Sequence, residues 1–243
     1  MRFAYSPKFT QELDASFADP KLDAVNVHPL PDTVLGGRRF MLGNFMSKEL
    51  TLAELRDFCL QAHGQTVHSK PFVLDEDNAA SLYRDDDGWT IHRKRAWVGV
   101  MSGGHYDYID FSITVGSETG TPESAQKIRS WMSRLSEFIH GFDFLHASPA
   151  PNWIEKKPFQ LVVACLALPG RDNAAYLANA RELTDTAAGT PIRGTVSFHL
   201  PEGTYALSLY SPTSGALSSA VELKGTMVHS IALPSFRTMY SSG

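Results

Sequence analysis

The chain has 243 residues, 43% apolar, 20% charged and 11% aromatic, an ordinary make-up for a globular protein. Its 22 Lys and Arg against 26 Asp and Glu give a net charge of −4, which leaves no electrostatic footprint for nucleic acid or an anionic membrane. No apolar run approaches the ~18 residues of a membrane span, and the opening MRFAYSPKFTQEL lacks the apolar stretch of a secretion signal.

Up to about residue 145, strand-like and helix-like patterns alternate, which argues for parallel βα units. Leu22 to His28 reads as a short strand stopped by Pro29 and Pro31, followed by a loop with Gly36, Gly37 and Gly43. Ser47 to His63 has Leu52, Leu55, Phe58 and Cys59 at helical spacing. Ser69 to Glu76 is a second strand whose apolar run ends in three acids, Asp75, Glu76 and Asp77. The run Asp85 to Gly88 lacks the later ligands of a calcium loop and reads as the approach to a helix over Gly88–Met101. That helix runs into Ser102-Gly103-Gly104-His105, a break before a third strand over Tyr106–Ile113. Thr121 is an N-cap with Pro122 at the first helical position. Ile128, Trp131, Met132, Leu135, Phe138 and Ile139 then form one apolar face, ending at Gly141.

After Pro149-Ala150-Pro151 the strands become short and the turns frequent. The segments QLVVACLAL, AAYLAN, GTVSFHL, TYALSLY, SAVELKG and MVHSIAL predict an antiparallel β-sandwich of about six strands. The fold class is therefore α/β plus all-β, with units at 1–148 and 158–243. Cys59 and Cys165 lie in apolar periodic segments and read as buried free thiols. Trp97 and Trp131 read as core, and Trp153 as packing between the two units. Arg93 and Arg95 read as solvated or salt-bridged to the acid-rich region.

In a parallel α/β barrel the reactive groups sit at the C-terminal ends of strands. Here the first strand ends in Asn26 and His28, the second in Asp75, Glu76 and Asp77, and the third carries His105, Tyr106, Asp107, Tyr108 and Asp110. The segment KPFVLDED resembles the seventh strand of the retaining glycoside hydrolases of the large (β/α)8 clan. VNVHPLP looks like their sixth strand, and WVGVMSGGHYDYIDFSI like a helix running into the eighth. LPEGTYALSLYSPTSG is similar to the collagen-binding-like sandwich domains that follow several such barrels.

The resemblance implies that the chain holds the last three or so βα units of a barrel and that Glu76 is the nucleophile. Asp75 and Asp77 are the alternatives for that role, and an acid cluster with no catalytic part is the third reading. His28, Asp75, Asp77, His105, Tyr106 and Asp107 would bind the carbohydrate substrate. The family's acid/base glutamate follows a fourth strand, which has no counterpart here, so the chain is expected to be inactive alone and to self-associate through an incomplete barrel. A non-catalytic carbohydrate-binding or interaction protein is the alternative. No cofactor, metal, nucleic acid or membrane partner is implied.

Overall fold

A computed structural model describes residues 10–27, 33–40, 50–66, 70–75, 86–108, 122–181, 187 and 190–235. Its first half is a set of parallel βα units. Helix α1 (Thr10–Ala18) leads into β1 (Val25–Val27), and a hairpin of β2 (Val34–Leu35) and β3 (Arg38–Arg39) precedes α2 (Leu52–Thr66). Then come β4 (Phe72–Leu74), α3 (Asp86–Met101), β5 (His105–Tyr106) and α4 (Pro122–His140). Strands β1, β4 and β5 form a parallel sheet in that order, with Asn26 beside Val73 and Val73 beside His105.

The helices expected at 47–63, 88–101 and 122–140 and the strands expected at 22–28 and 69–76 overlap α2, α3, α4, β1 and β4, whereas the strand expected over 106–113 meets β5 only at Tyr106, and 109–113 lie outside the described residues. Thr51 starts α2 by accepting the Glu54 N–H on its hydroxyl at 3.1 Å, the Thr-x-x-Glu arrangement of a capping box. Two elements were not anticipated. One is α1, whose C-terminal carbonyls at Ser16 and Asp19 accept hydrogen bonds from the buried Lys70 ammonium. The other is the β2–β3 hairpin, where Gly36 and Gly37 both have positive φ, 57° and 78°, as a two-residue primed turn requires. The Gly103-Gly104 break before β5 is a tight backbone passage. Gly103 has a φ of 89°, and a Cβ on Gly104 would come within 2.8 Å of the Phe72 ring.

Strand alternation gives the parallel sheet two unlike faces. Val25, Val27, Phe72 and Leu74 point to the helices and join Phe17, Leu55, Phe58, Cys59 and Ala62 in one buried cluster. Asn26 and His105 on the other face are exposed, and Val73 between them is half-buried. Of the described residues, Phe144 meets His105 on that second face, its ring centre 5.7 Å away.

The second half is antiparallel. Strands β6 (Ser148–Pro149), β8 (Leu161–Leu168) and β9 (Asp172–Asn179) form one sheet. Strands β7 (Ile154–Lys156), β10 (Thr195–His199) and β13 (Val228–Ala232) form another, and β11 (Thr204–Leu207) pairs with β12 (Val221–Lys224). The six anticipated segments are all strands. The short β6 and β7 are additional, and they lie between the sequence-derived limits of 148 and 158, paired with β8 and β10.

The run LVVACLAL in β8 is apolar without interruption because both faces of its sheet are covered. Leu161, Val163 and Cys165 face Val196 and Ile192, together with Ile231 of β13. Val162, Ala164 and Leu166 face Trp97, Val100 and Met101 of α3 and Leu135 of α4. Trp97 sits at that junction, its ring 5.3 Å from Tyr176, 5.0 Å from Phe138 and 5.9 Å from Tyr210.

Two expectations are corrected. Arg93 and Arg95 are buried, because α3 is enclosed on all sides from Trp89 to Met101. Arg93 stacks 4.7 Å over the Trp131 ring, Lys94 donates to the Arg181 carbonyl at 3.3 Å, and Arg95 donates to the Leu50 carbonyl at 2.6 Å. Burial rules out the solvated reading, and among the described residues backbone carbonyls and an aromatic face take part in holding these cations. Trp153 packs within the antiparallel half, 5.1 Å from Phe198, and its indole N–H donates to the His199 carbonyl at 3.0 Å. Trp97 and Trp131 are core, and Cys59 and Cys165 are free and buried.

Candidate functional site

The C-terminal edge of the parallel sheet carries three of the polar residues singled out by the sequence, Asp75, His105 and Asp107. The Asp75 N–H donates to the Val27 carbonyl at 3.0 Å, and the Asp107 N–H donates to the Leu74 carbonyl at 2.9 Å. These bonds carry the parallel ladder one residue beyond β4 and β5. Because Leu74 pairs with Tyr106, Asp75 and Asp107 are neighbours on strands ~4.8 Å apart. Alternation puts Asp75 on the side of Val73 and Asp107 on the side of His105, the face turned away from the helices. Asp75 is half-buried and Asp107 exposed.

His105 lies one step below Asp107 on the same face. The Phe144 ring meets it edge-on at 5.7 Å, and the water lost from one side of the imidazole lowers its pKa. Tyr106 points the opposite way and packs, half-buried, against the helix-side clusters. The structure therefore brings Asp75, His105 and Asp107 to one face and edge, with Tyr106 behind them. His28, Glu76 and Asp77 lie outside the described residues. Glu76 follows Asp75 directly in the chain.

His92, which sequence reasoning missed, pairs with Tyr108 beside this edge. His92 of α3, 1% exposed, has Nε2 3.3 Å from the Tyr108 hydroxyl, and the two rings meet edge-on at 4.8 Å. Tyr108 also packs against the cluster of Trp89, Ile128 and Trp131, which fixes the chain where it leaves β5. His92 sits in the polar-looking run IHRKRAW, where nothing local marks it as buried. Among the described residues no three His, Cys, Asp or Glu side chains are grouped as metal ligands would be. No helix among them is long and apolar enough to cross a membrane.

Solved structures of similar fold exist. A family 5 glycoside hydrolase from Bacteroides vulgatus superposes with a TM-score of 0.61 at 18% identity, over 93% of this chain and 51% of its own. A second structure, of a glycoside hydrolase, gives a TM-score of 0.59 at 16% identity, over 90% of this chain and 51% of its own. At these identities the likeness is one of fold, and it extends across both the parallel and antiparallel halves. The chain spans about half the length of the structures it matches. No family profile and no curated protein matches the sequence. The collagen-binding-like character expected of the LPEGTYALSLYSPTSG segment finds no support in these matches.

Proposed function

We propose that this chain is the C-terminal part of a retaining glycoside hydrolase, with the parallel half forming the last three βα units of a (β/α)8 barrel and the antiparallel half a β-sandwich. The observation that carries this reading is the edge where Asp75 and Asp107 are held side by side, with Glu76 next in the chain. The C-terminal ends of parallel strands are where such barrels place their chemistry. The shared fold with two glycoside hydrolases supports the assignment.

In this reading the substrate is a carbohydrate and Glu76 is the nucleophile. Its ionised carboxylate oxygen bonds to the anomeric carbon as the leaving oxygen departs with its electron pair. Water then releases the sugar from the glycosyl ester. His28, Asp75, Asp77, His105 and Asp107 hold sugar hydroxyls around that carbon, the carboxylates as acceptors, while Tyr106, expected among them, packs behind the site on the helix side. The second carboxyl, which must stand ~5–5.5 Å from the first, comes from a strand of the complementary half of the barrel. The chain alone is therefore without turnover, and copies of it meet across the face of β1, β4 and β5 turned away from the helices.

In a polypeptide that supplies both carboxyls, Glu76→Gln lowers turnover by several powers of ten and leaves substrate binding largely intact. Assay on aryl glycosides with good leaving groups measures this. A 2-deoxy-2-fluoro glycoside bearing dinitrophenolate, followed by peptide mass analysis, places the trapped sugar on Glu76. Retention of more than about a tenth of the activity, or a sugar trapped elsewhere, overturns the assignment.

A further inference from the structure

The two halves also meet in an open groove of about 520 Å³, away from the strand ends, between α4 and the turn at 211–215. Its helical wall presents Gln126, Lys127, Ser130 and Arg134, one stripe at helical spacing, and its other wall presents Thr213 and Ser214. Trp131, almost wholly buried, forms the floor, and the Lys127 ammonium lies 5.8 Å from its ring centre.

Both walls are fixed by bonds that do not use the lining side chains of Arg134 or Thr213. The Tyr210 hydroxyl donates to the Arg134 backbone carbonyl at 3.3 Å, tying the turn to the helix. Within the turn, the Gly215 N–H donates to the Ser211 carbonyl at 2.8 Å, and the Ser211 N–H to the Ala216 carbonyl at 2.8 Å. The groove is thus preformed, and its volume is that of a small-molecule site. Arg134 is half-buried, and no ion pair of the described residues includes it. Among the described residues that line the groove Glu123 is the one acid, at the end toward the start of α4, with Arg134 further along the helix.

We infer that this groove binds an acidic saccharide, with the Arg134 guanidinium and Lys127 ammonium taking a uronate carboxylate and Gln126, Ser130, Thr213 and Ser214 taking its hydroxyls. A planar guanidinium matches a carboxylate with two parallel hydrogen bonds. Hydroxyl and amide side chains, which both donate and accept, match the ring hydroxyls. The choice of a saccharide over another polyhydroxylated anion rests on the carbohydrate reading above. The groove is distinct from the Asp75–Asp107 edge and carries no reactive group, so its part is retention of substrate.

Titration calorimetry of the 243-residue chain with trigalacturonate tests this, alongside the carboxyl-reduced trimer. Saturable one-to-one binding of the acid, at least about tenfold weaker for the reduced trimer, is expected. Arg134→Gln weakens it about tenfold and Thr213→Val about threefold. Ser214→Glu, which sets a carboxylate at the rim, also weakens it, and unchanged melting temperatures show that the variants fold. Absence of saturation, equal binding of the reduced trimer, or insensitivity to both Arg134→Gln and Ser214→Glu overturns the proposal. Trigalacturonate bound in the groove while no sugar is trapped on Glu76 would leave the groove standing without the hydrolase. The reverse result would remove the groove alone.

Discussion

Two of the three-stranded sheets of this molecule, one parallel and one antiparallel, differ in what covers them. The antiparallel sheet β6-β8-β9 lies between the helices α3 and α4 on one side and the strand β10 on the other, so Val162 and Val163 are both buried although they point opposite ways. Among the described residues, the parallel sheet β1-β4-β5 is packed by helices on one face only. Phe72 and Leu74 are buried, whereas Asn26 and His105 are exposed. A sheet closed on both faces does structural work. A sheet with one open face and a row of acids at its C-terminal edge has a surface left for another molecule, whether substrate or protein.

The largest test of the comparison is Trp97→Ala. Trp97 joins α3 to β9, α4 and Tyr210, and removing a buried indole costs ~3–5 kcal/mol. Urea unfolding followed by circular dichroism and fluorescence should shift as one transition, because both halves share that cluster. A second transition, assignable to residues 158–243 and unmoved by the substitution, would show that the antiparallel half folds without the helices.

A matched pair sharpens the contrast further. Val163→Ala, between the two antiparallel sheets, should cost about 2 kcal/mol, and Val73→Ala, on the open face, well under 1 kcal/mol. If copies meet across that face, Val73→Glu reduces the mass measured by light scattering while the monomer stays folded. Equal costs for the two alanines would mean that the parallel sheet is covered as fully as the antiparallel one.

The smallest effect concerns the thiols. Burial pushes the Cys165 thiol up to about 12 and moves the Cys59 thiol in the same direction. Both pKa values are raised above the ordinary 9.0, so the stability they contribute is complete below pH 9. It is lost as rising pH ionises the thiols of the unfolded chain first. The loss is about 0.4 kcal/mol per thiol at pH 9 and grows toward pH 12. A thiol reagent at pH 8 should label neither cysteine in the native chain and both in denaturant. Rapid native labelling at Cys59 would show that the helix side of the parallel sheet opens easily.

Much of this architecture was written in local pattern. Leu52, Leu55, Phe58 and Cys59 marked α2, and Ile128, Trp131 and Leu135 marked α4, because an amphipathic helix repeats its buried face every 3.6 residues. Val73 and Leu74 ending in acids marked both a strand and the edge that carries the candidate site. Turn residues such as Pro201 and Gly203 separated the antiparallel strands.

Only the tertiary structure decided the rest. Periodicity reports that a segment has a buried side, not how many neighbours surround it. Arg93 and Arg95 therefore read as solvated or salt-bridged, and their burial was not legible: α3 is enclosed, with Arg95 reaching the Leu50 carbonyl, Lys94 the Arg181 carbonyl and Arg93 the Trp131 ring. The strands β6 and β7 were too short to have a period and exist because β8 and β10 offered them open edges. Trp153 found Phe198 and not the helices for the same reason: its partner lies 45 positions away along the chain and is brought near only by sheet pairing. Chain-local chemistry sets which segments become strands or helices. Which faces are sealed, and which remain free for a ligand, depends on long-range packing that no short window of sequence contains.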